Sequence, residues 1–168
     1  LAIHAALTGH LVLSTLHTNN AVGAIPRLMD MGIDQYLIAP TLVAVIAQRL
    51  VQTLCPESRR PLKITDELKT RIDGELTKMP ASEKSKVKWP KEIFEALPSA
   101  ACPKGTRGRI GVFEVLIATK ELEKVILSSP SPEALDQEAR RQGMITMRED
   151  GVLKVLDGRV GLEQMAQI

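Results

Sequence analysis

The chain has 168 residues, of which 44% are hydrophobic and 25% charged, and its formal net charge is +2. This composition is typical of a globular protein with one sizeable core. The small net charge and the presence of only four aromatic residues argue against nucleic acid as a partner, because there is neither a general attraction to phosphate nor a platform for stacking bases. No apolar run reaches the roughly 18 residues of a membrane helix, so we expect no membrane span. Two cysteines are too few for a disulfide framework, which favours a reducing, cytoplasmic setting.

The charges divide the chain into three segments. Residues 1–54 have a net charge of zero, residues 55–109 carry thirteen basic and eight acidic groups, and residues 110–168 carry seven basic and ten acidic groups. This distribution predicts a buried core, then a solvated insertion, then a surface-rich helical unit.

The first segment is the most apolar. Residues 1–7 predict the last turns of a buried helix. Residues 10–16 (HLVLSTL) form a continuous apolar and β-branched run between turn signals, which predicts a strand buried on both faces. Asn20 is a candidate N-cap for a helix over residues 21–31, and Gly32 is placed to end that helix.

Residues 36–54 are apolar throughout and are interrupted by Pro40. They predict an extended piece, then a helix from about Thr41, then a strand around residues 49–54, although periodicity alone leaves this order open. A strand, a polar turn, a helix and a second strand together predict a parallel α/β core, whose ligands bind beyond the carboxyl ends of the strands.

The second segment predicts helices over residues 66–78 and 91–97. A basic, glycine-rich turn over residues 105–111 then leads into a short strand, residues 112–117.

The rest of the chain is predicted to be helical. Pro132 suits a first helical position. Thr146 and Glu149 have the spacing of a capping box for a helix that ends near Gly158.

The segment LTGHLVLSTLHTNN, residues 7–20, resembles the histidine box of the motor ATPases of type II secretion and type IV pilus assembly. The resemblance continues in the same order along the chain through shorter pieces: residues 24–32 (AIPRLMDMG), 47–51, 54–56, 107–111 and 113–116, then Gly143, Met144, Thr146, Met147, Asp150, Gly151 and Lys154.

This resemblance implies an α/β fold that is the C-terminal part of a RecA-like P-loop NTPase core followed by a mostly helical subdomain. Residues 1–54 would belong to the ATPase core. Residues 55–109 would be the insertion equivalent to the family's zinc-binding segment, depleted of cysteine. Residues 110–168 would be the helical C-terminal subdomain.

The function that the resemblance implies is that of a hexameric motor, a homo-hexamer that hydrolyses ATP with Mg²⁺. It would work in the cytoplasm, peripherally at the inner membrane, against a platform protein in that membrane. The family's nucleotide site needs a glycine-rich loop with Lys and Ser/Thr. The chain has neither this Walker A motif nor a Walker B acid, so we expect both upstream in a longer protein and no activity from the chain alone. The alternative is a non-catalytic module that docks on the platform protein.

The resemblance makes His17 the candidate catalytic residue, with Thr15, Thr18 and Asn19 as polar neighbours at the nucleotide or at a subunit interface. At the end of a buried strand, an imidazole could hydrogen-bond a catalytic carboxylate or the attacking water. The alternative is that His17 only satisfies its neighbours at a strand end.

Arg27 and Arg49 are the only basic residues in the first segment. A cation in apolar sequence needs a partner: a phosphate, a carboxylate across a subunit interface, or an internal ion pair. Gln48 precedes Arg49 in one of the pieces that carry the resemblance and is the last candidate for the nucleotide or the interface.

Many members of the family that this chain resembles carry four cysteines in two C-x-x-C pairs that bind zinc. Here the first pair ends in Ser58 instead of a second cysteine after Cys55, and the other ends in Gly105 after Cys102. Two thiolates cannot complete a structural zinc shell without further ligands. We therefore predict no zinc and no other metal site.

Overall fold

The computed structural model describes residues 2–128 and 130–168, which form a mixed α/β structure. Strand β1 pairs with β4 and β2 pairs with β3, giving two two-stranded sheets in the described part of the chain. The elements in chain order are α1 (Ala2–Leu7), α2 (Ala24–Asp30), α3 (Gln35–Thr41), β1 (Ala44–Leu54), β2 (Arg60–Lys63), α4 (Asp66–Glu75), α5 (Ala81–Lys84), β3 (Glu92–Glu95), β4 (Thr106–Ile117), α6 (Lys120–Leu127), α7 (Pro132–Arg141), α8 (Met147–Leu156) and a 3₁₀ helix (Leu162–Gln167).

Both sheets are antiparallel. In the β2–β3 pair, Leu62 lies opposite Ile93. The β1–β4 pair runs the same way, because the amide of Ala118, after β4, donates to the carbonyl of Val43, before β1, at 3.0 Å. The parallel core predicted from the sequence is therefore wrong for the described residues. Parallel pairing requires the strand predicted over residues 10–16, and that strand does not form.

The chain divides into two compact units. The first takes in the chain as far as Ala47 together with Glu114–Met144, and the second comprises Gln48–Phe113 and Ile145–Ile168. Each unit thus combines stretches that are distant in sequence. The division into segments 1–54, 55–109 and 110–168 concerns equivalence with parts of a longer protein and stays a prediction.

Each unit has an aliphatic core, as the scarcity of aromatic residues requires. In the first unit, fully buried aliphatic side chains come from the turn before α2 and from α2, α3, β4, α6 and α7: Ala21, Ile25, Ile38, Leu116, Leu122, Ile126, Leu135 and Ala139. In the second unit the fully buried aliphatics come from β1, from α4 and the residue that follows it, from β3, β4 and α8, and from the turn after α8: Val51, Ile72, Leu76, Ile93, Val112, Val152, Val155 and Val160.

The strand predicted over residues 10–16 is absent. The segment has no regular secondary structure, and Leu11 and Leu13 are 82% and 89% exposed. Helix α1 forms as predicted, with Gly9 at a left-handed φ of 90° after it, but none of its described side chains is buried; Leu1 lies outside the described residues. A strand exists only by hydrogen bonding to a neighbour, and no described strand pairs with this segment.

The helices of residues 21–54 begin and end at places different from those predicted, whereas β1 contains the strand predicted around residues 49–54 and ends with it at Leu54. Helix α2 starts at Ala24, although Gly32 follows it with a left-handed φ of 81° as expected. The predicted helix starting near Thr41 is wrong: α3 begins at Gln35, because the Asp34 carboxylate caps its start by accepting from Tyr36 N at 2.8 Å, and it ends at Thr41.

In the second segment, the predicted helix over residues 91–97 is wrong. Residues Glu92–Glu95 form β3, whose Ile93 is buried, since pairing with β2 overrides the helical preference of this lysine- and glutamate-rich stretch. Helix α4 confirms the other predicted helix, apart from an earlier end.

The start signals in the third segment are confirmed. Pro132 is the first residue of α7, and Thr146 and Glu149 form the reciprocal hydrogen bonds of a capping box at α8. Gly158 adopts a left-handed φ of 70° just after α8, which matches the predicted end of that helix.

Candidate functional site

A compact turn joins the histidine-bearing segment to α2. The Thr18 hydroxyl donates to the carbonyl of Asn20 at 3.0 Å, and the side-chain oxygen of Asn20 accepts from Gly23 N at 2.9 Å. The sequence predicted Asn20 as a helix N-cap, and its side chain does cap backbone here, but in the turn that precedes α2. Gly23 suits this turn because a Cβ at that position would lie 2.9 Å from the Asn20 oxygen.

The turn is anchored to the core of the first unit by Glu114. The Oε2 of Glu114, on β4, accepts from the amide of Ala21 at 2.9 Å. Glu114 is 5% exposed and Ala21 is fully buried, so this is a charge-assisted hydrogen bond shielded from solvent, and such bonds are about twice as strong as neutral ones. The contact fixes the end of the segment that carries His17.

Sequence reasoning gave Glu114 no role, although a signal was present. Along the end of β4, Val112, Glu114 and Leu116 are buried, while the residues between them are exposed. Glu114 is thus a carboxylate at an inward position of an alternating strand. A buried carboxylate requires a partner, so the alternation could have marked this residue as an anchor.

The four polar candidates of the segment lie next to one another in the first unit. Thr15, His17 and Asn19 are exposed and Thr18 is half-buried. The Thr15 hydroxyl, the His17 imidazole and the Asn19 amide are therefore at solvent immediately before an anchored turn. They can donate to or accept from a phosphate oxygen or a water, but the segment contains no cation that could neutralise phosphate charge.

The remaining candidates are not all in this unit. Arg27 lies on α2 and is exposed, and its partner stays a prediction. Gln48 and Arg49 lie on β1, in the second unit, and are also exposed. The Arg49 guanidinium donates to the backbone oxygen of Ile168 at 3.2 Å. All three side chains therefore face solvent from the helix or strand that carries them.

The two cysteines, Cys55 and Cys102, are free thiols, both buried in the second unit. Within residues 2–128 and 130–168, no group of three or more His, Cys, Asp or Glu side chains is arranged to hold a metal ion. The absence of zinc stays a prediction, which elemental analysis of the purified protein would test.

Comparison with known proteins defines the class. The family described as type II/IV secretion system protein matches residues 1–167, and the chain belongs to this family. It is 40% identical to the type II secretion system ATPase E of Vibrio cholerae and 37% identical to the type IV pilus assembly ATPase PilB of Myxococcus xanthus. These alignments cover 100% and 98% of this chain but only 31% and 28% of the relatives, so the chain spans less than a third of their length.

Helices long and apolar enough to cross a membrane are absent from the part of the chain that the structure describes.

Proposed function

We propose that this chain is the C-terminal part of a hexameric motor ATPase that powers type II protein secretion or type IV pilus assembly. Its relatives are named as ATPases of these two systems. In this proposal the motor is a homo-hexamer that works in the cytoplasm, peripherally at the inner membrane, where a platform protein is its partner. Residues 1–54 belong to its RecA-like core, and the Walker motifs come from the rest of the longer protein.

The observation that carries the proposal is the exposure of residues 10–16 beside a turn that is fixed to the core. The apolar half of residues 10–20 is exposed, with Leu13 89% accessible, while their polar end is held by Glu114 through Ala21. An exposed apolar patch of this kind marks a surface that packs against something else. Other apolar side chains of the first unit are also exposed, which supports the same conclusion: Val43, Ile46, Val115 and Ile117. The occupant we propose is the rest of the ATPase core, against which residues 10–16 become a strand.

Once that strand forms, His17 stands at its carboxyl end, where ligands bind in open α/β sheets. The residues present fit one side of an ATP site. Thr15, His17 and Asn19 are exposed donors and acceptors, but no lysine or glycine-rich loop accompanies them. Magnesium-bound ATP, when held by the whole protein, supplies the phosphoryl group that is transferred to water. His17 would hydrogen-bond the attacking water or the catalytic carboxylate.

We propose that Thr18 and Glu114 act through the backbone by holding the turn after His17 in place. Arg27, Gln48 and Arg49 are proposed as contacts to the nucleotide or to a neighbouring subunit, since all three are exposed and available to partners outside this chain.

The experiment that tests the role of His17 measures ATP turnover, nucleotide affinity and melting temperature of the intact protein and its His17→Ala variant. Groups that position the attacking water or act as acid or base are typically worth about 10²–10⁴-fold in rate. Such a group is needed mainly in the transition state, so turnover should fall by that factor while nucleotide affinity changes little.

His10→Ala is the matched control. His10 precedes the same apolar run and is also exposed, with its Nδ1 3.2 Å from the Thr8 hydroxyl. It should keep near wild-type turnover. If a folded His17→Ala protein turns over ATP as fast as the wild type, the role of His17 is wrong. If the wild-type intact protein hydrolyses no ATP but binds the platform protein, the non-catalytic docking module is the correct function.

A further inference from the structure

The two thiols of the second unit lie against each other. The amide of Cys55, just after β1, donates to the carbonyl of Gly105 at 2.9 Å, and Gly105 N donates to the carbonyl of Cys102 at 2.9 Å. These backbone contacts bring Cys102 beside Cys55, close enough for each thiol to influence the pKa of the other. The Cys102 sulfur also lies 3.5 Å from the carbonyl oxygen of Thr106.

The surroundings of the two sulfurs are unequal. The pKa of the Cys55 thiol is lowered, chiefly by the hydrogen bond from Cys102, with further contributions from the Ser58 hydroxyl, the backbone of Glu57 and the charge of Arg107, which together outweigh burial. The pKa of Cys102 is raised by its contact with Cys55 and by burial. Cys55 is therefore the sulfur that loses its proton more readily of the two.

The Ser58 hydroxyl completes this environment. Its oxygen is buried and makes no hydrogen bond within the described residues, while the hydroxyl lies close enough to lower the pKa of Cys55. A thiol of lowered pKa with a second thiol next to it shares two features with cysteines that react with oxidants.

We propose that Cys55 and Cys102 form a peroxide-reactive dithiol, in which Cys55 is oxidised first and Cys102 resolves it to an intramolecular disulfide. The Cys55 thiolate attacks one oxygen of hydrogen peroxide, the O–O bond breaks, and hydroxide leaves as Cys55 becomes a sulfenic acid. The Cys102 sulfur then attacks the Cys55 sulfur. The sulfenic oxygen leaves as water with the Cys102 proton, and the first hydroxide takes up a solvent proton, so two thiols and one peroxide give one disulfide and two waters.

The chemistry of the site selects this oxidant. Both sulfurs are buried, with Cys55 0% and Cys102 4% exposed, so a small neutral peroxide reaches them more readily than a bulky disulfide such as oxidised glutathione. Two thiolates also leave half of a tetrahedral metal shell unfilled. The sequence has only these two cysteines of the four-cysteine pattern, so no further cysteine competes with the formation of a disulfide between them.

The test treats the folded protein with hydrogen peroxide, quenches with an alkylating reagent under denaturing conditions, and locates the products by peptide mass spectrometry. The wild type should lose about 2 Da, contain a peptide cross-linked between Cys55 and Cys102, and recover both thiols with dithiothreitol. A protein that keeps two free thiols at peroxide concentrations that oxidise an unstructured cysteine peptide would overturn the proposal, as would disulfides found only between chains.

The single variants test the order of the two steps. In Cys102→Ala, Cys55 should stop at the sulfenic acid, trappable by dimedone. In Cys55→Ala, Cys102 should form no intramolecular disulfide and should react more slowly than the Cys55 of Cys102→Ala, because the backbone of Glu57 lowers the pKa of Cys55 only. Equal reactivity of the two remaining thiols would contradict the assigned roles. Ser58→Ala, which keeps both sulfurs, should slow the formation of the disulfide without abolishing it. This variant answers the question if a cysteine variant fails to fold, because an unchanged rate would refute the proposed thiolate environment.

Discussion

Residues 10–16 and residues 112–117 are two apolar runs, of which only the second forms a strand. Both are rich in Val and Leu, and both predict strands. The second run is the end of β4, pairs with β1, and buries Leu116 completely. The first has no secondary structure and leaves Leu13 89% exposed.

The difference shows what a strand prediction leaves out. The residues of β4 alternate between buried and exposed positions, so one face packs on the core while a single neighbour satisfies the backbone. Residues 10–16 are apolar on both faces, which suits a central strand with two neighbours and two covering layers. The described residues supply neither, so intrinsic preference alone does not order the segment.

Hydrogen exchange should show the largest contrast between the two runs. None of the amides of residues 11–16 makes a backbone hydrogen bond to the described residues, so these amides should exchange almost as fast as in an unfolded peptide. The amides of β4 that bond to β1 should be protected by a factor on the order of a thousand or more, because they open only when the unit unfolds. Protection of residues 11–16 in the 168-residue chain would break the comparison. In the longer protein we expect that protection to appear.

A pair of truncations in the two runs should differ next most strongly. Leu116→Ala removes a fully buried side chain and should lower the free energy of unfolding by about 2–5 kcal/mol through lost burial and a cavity. Leu13→Ala changes a side chain in solvent and should stay within about 0.5 kcal/mol of wild type. Urea denaturation of both variants measures this. Equal destabilisation would mean that residues 10–16 are packed.

Glu114, on β4, accepts a hydrogen bond from the turn that follows residues 10–16. Glu114→Ala leaves the buried amide of Ala21 without its acceptor and should cost about 1.5–3 kcal/mol, the range for hydrogen bonds to charged groups. Glu114→Gln keeps an acceptor oxygen and should cost much less. Faster hydrogen exchange at Ala21, specific to the Ala variant, would localise the effect. If both variants lose the same stability, then negative charge rather than an acceptor at this position is what matters.

The smallest expected effect is the pH dependence contributed by Glu138 on α7, in the same unit. Arg141 donates to Glu138 at 2.6 and 2.8 Å. This hydrogen bonding lowers the pKa of Glu138, with Gln142 and Thr119 also contributing. Because the folded pKa is lowered, the stabilisation is fully present above the ordinary value of about 4.3 and is lost as the pH falls through the folded pKa. Arg141 is 57% exposed, so solvent keeps the effect modest.

Melting temperatures of the wild type and Glu138→Gln, measured from about pH 7 down to pH 3, should converge toward the acid end because the wild type loses this contribution. Glu163→Gln changes an exposed carboxylate and controls for net charge. A constant difference between the wild type and Glu138→Gln at every pH would show that the pKa of Glu138 is not involved.

Local signals in the sequence were reliable wherever the chemistry of a few neighbouring residues decides the outcome. The capping box of Thr146 and Glu149, Pro132 at the start of α7, and left-handed Gly32 and Gly158 appear where they were predicted. A short strand at residues 112–117 was predicted as well, although β4 starts earlier, at Thr106, where a glycine-rich turn was predicted. The family itself could also be predicted from the sequence, because its motifs recur in order over most of the chain.

The sequence by itself therefore determined the family, the starts of α7 and α8, and the predominantly aliphatic cores, since these depend on residue type and short spacing. Only the tertiary structure decided that Glu92–Glu95 is a strand, that Glu114 anchors the turn at Ala21, and that Cys55 and Cys102 meet. Each of these joins residues distant in the chain, and pairing or burial between distant residues outweighs local preferences of a few tenths of a kcal/mol per residue. The same reason explains residues 10–16, whose strong local preference lacks a partner within the described chain.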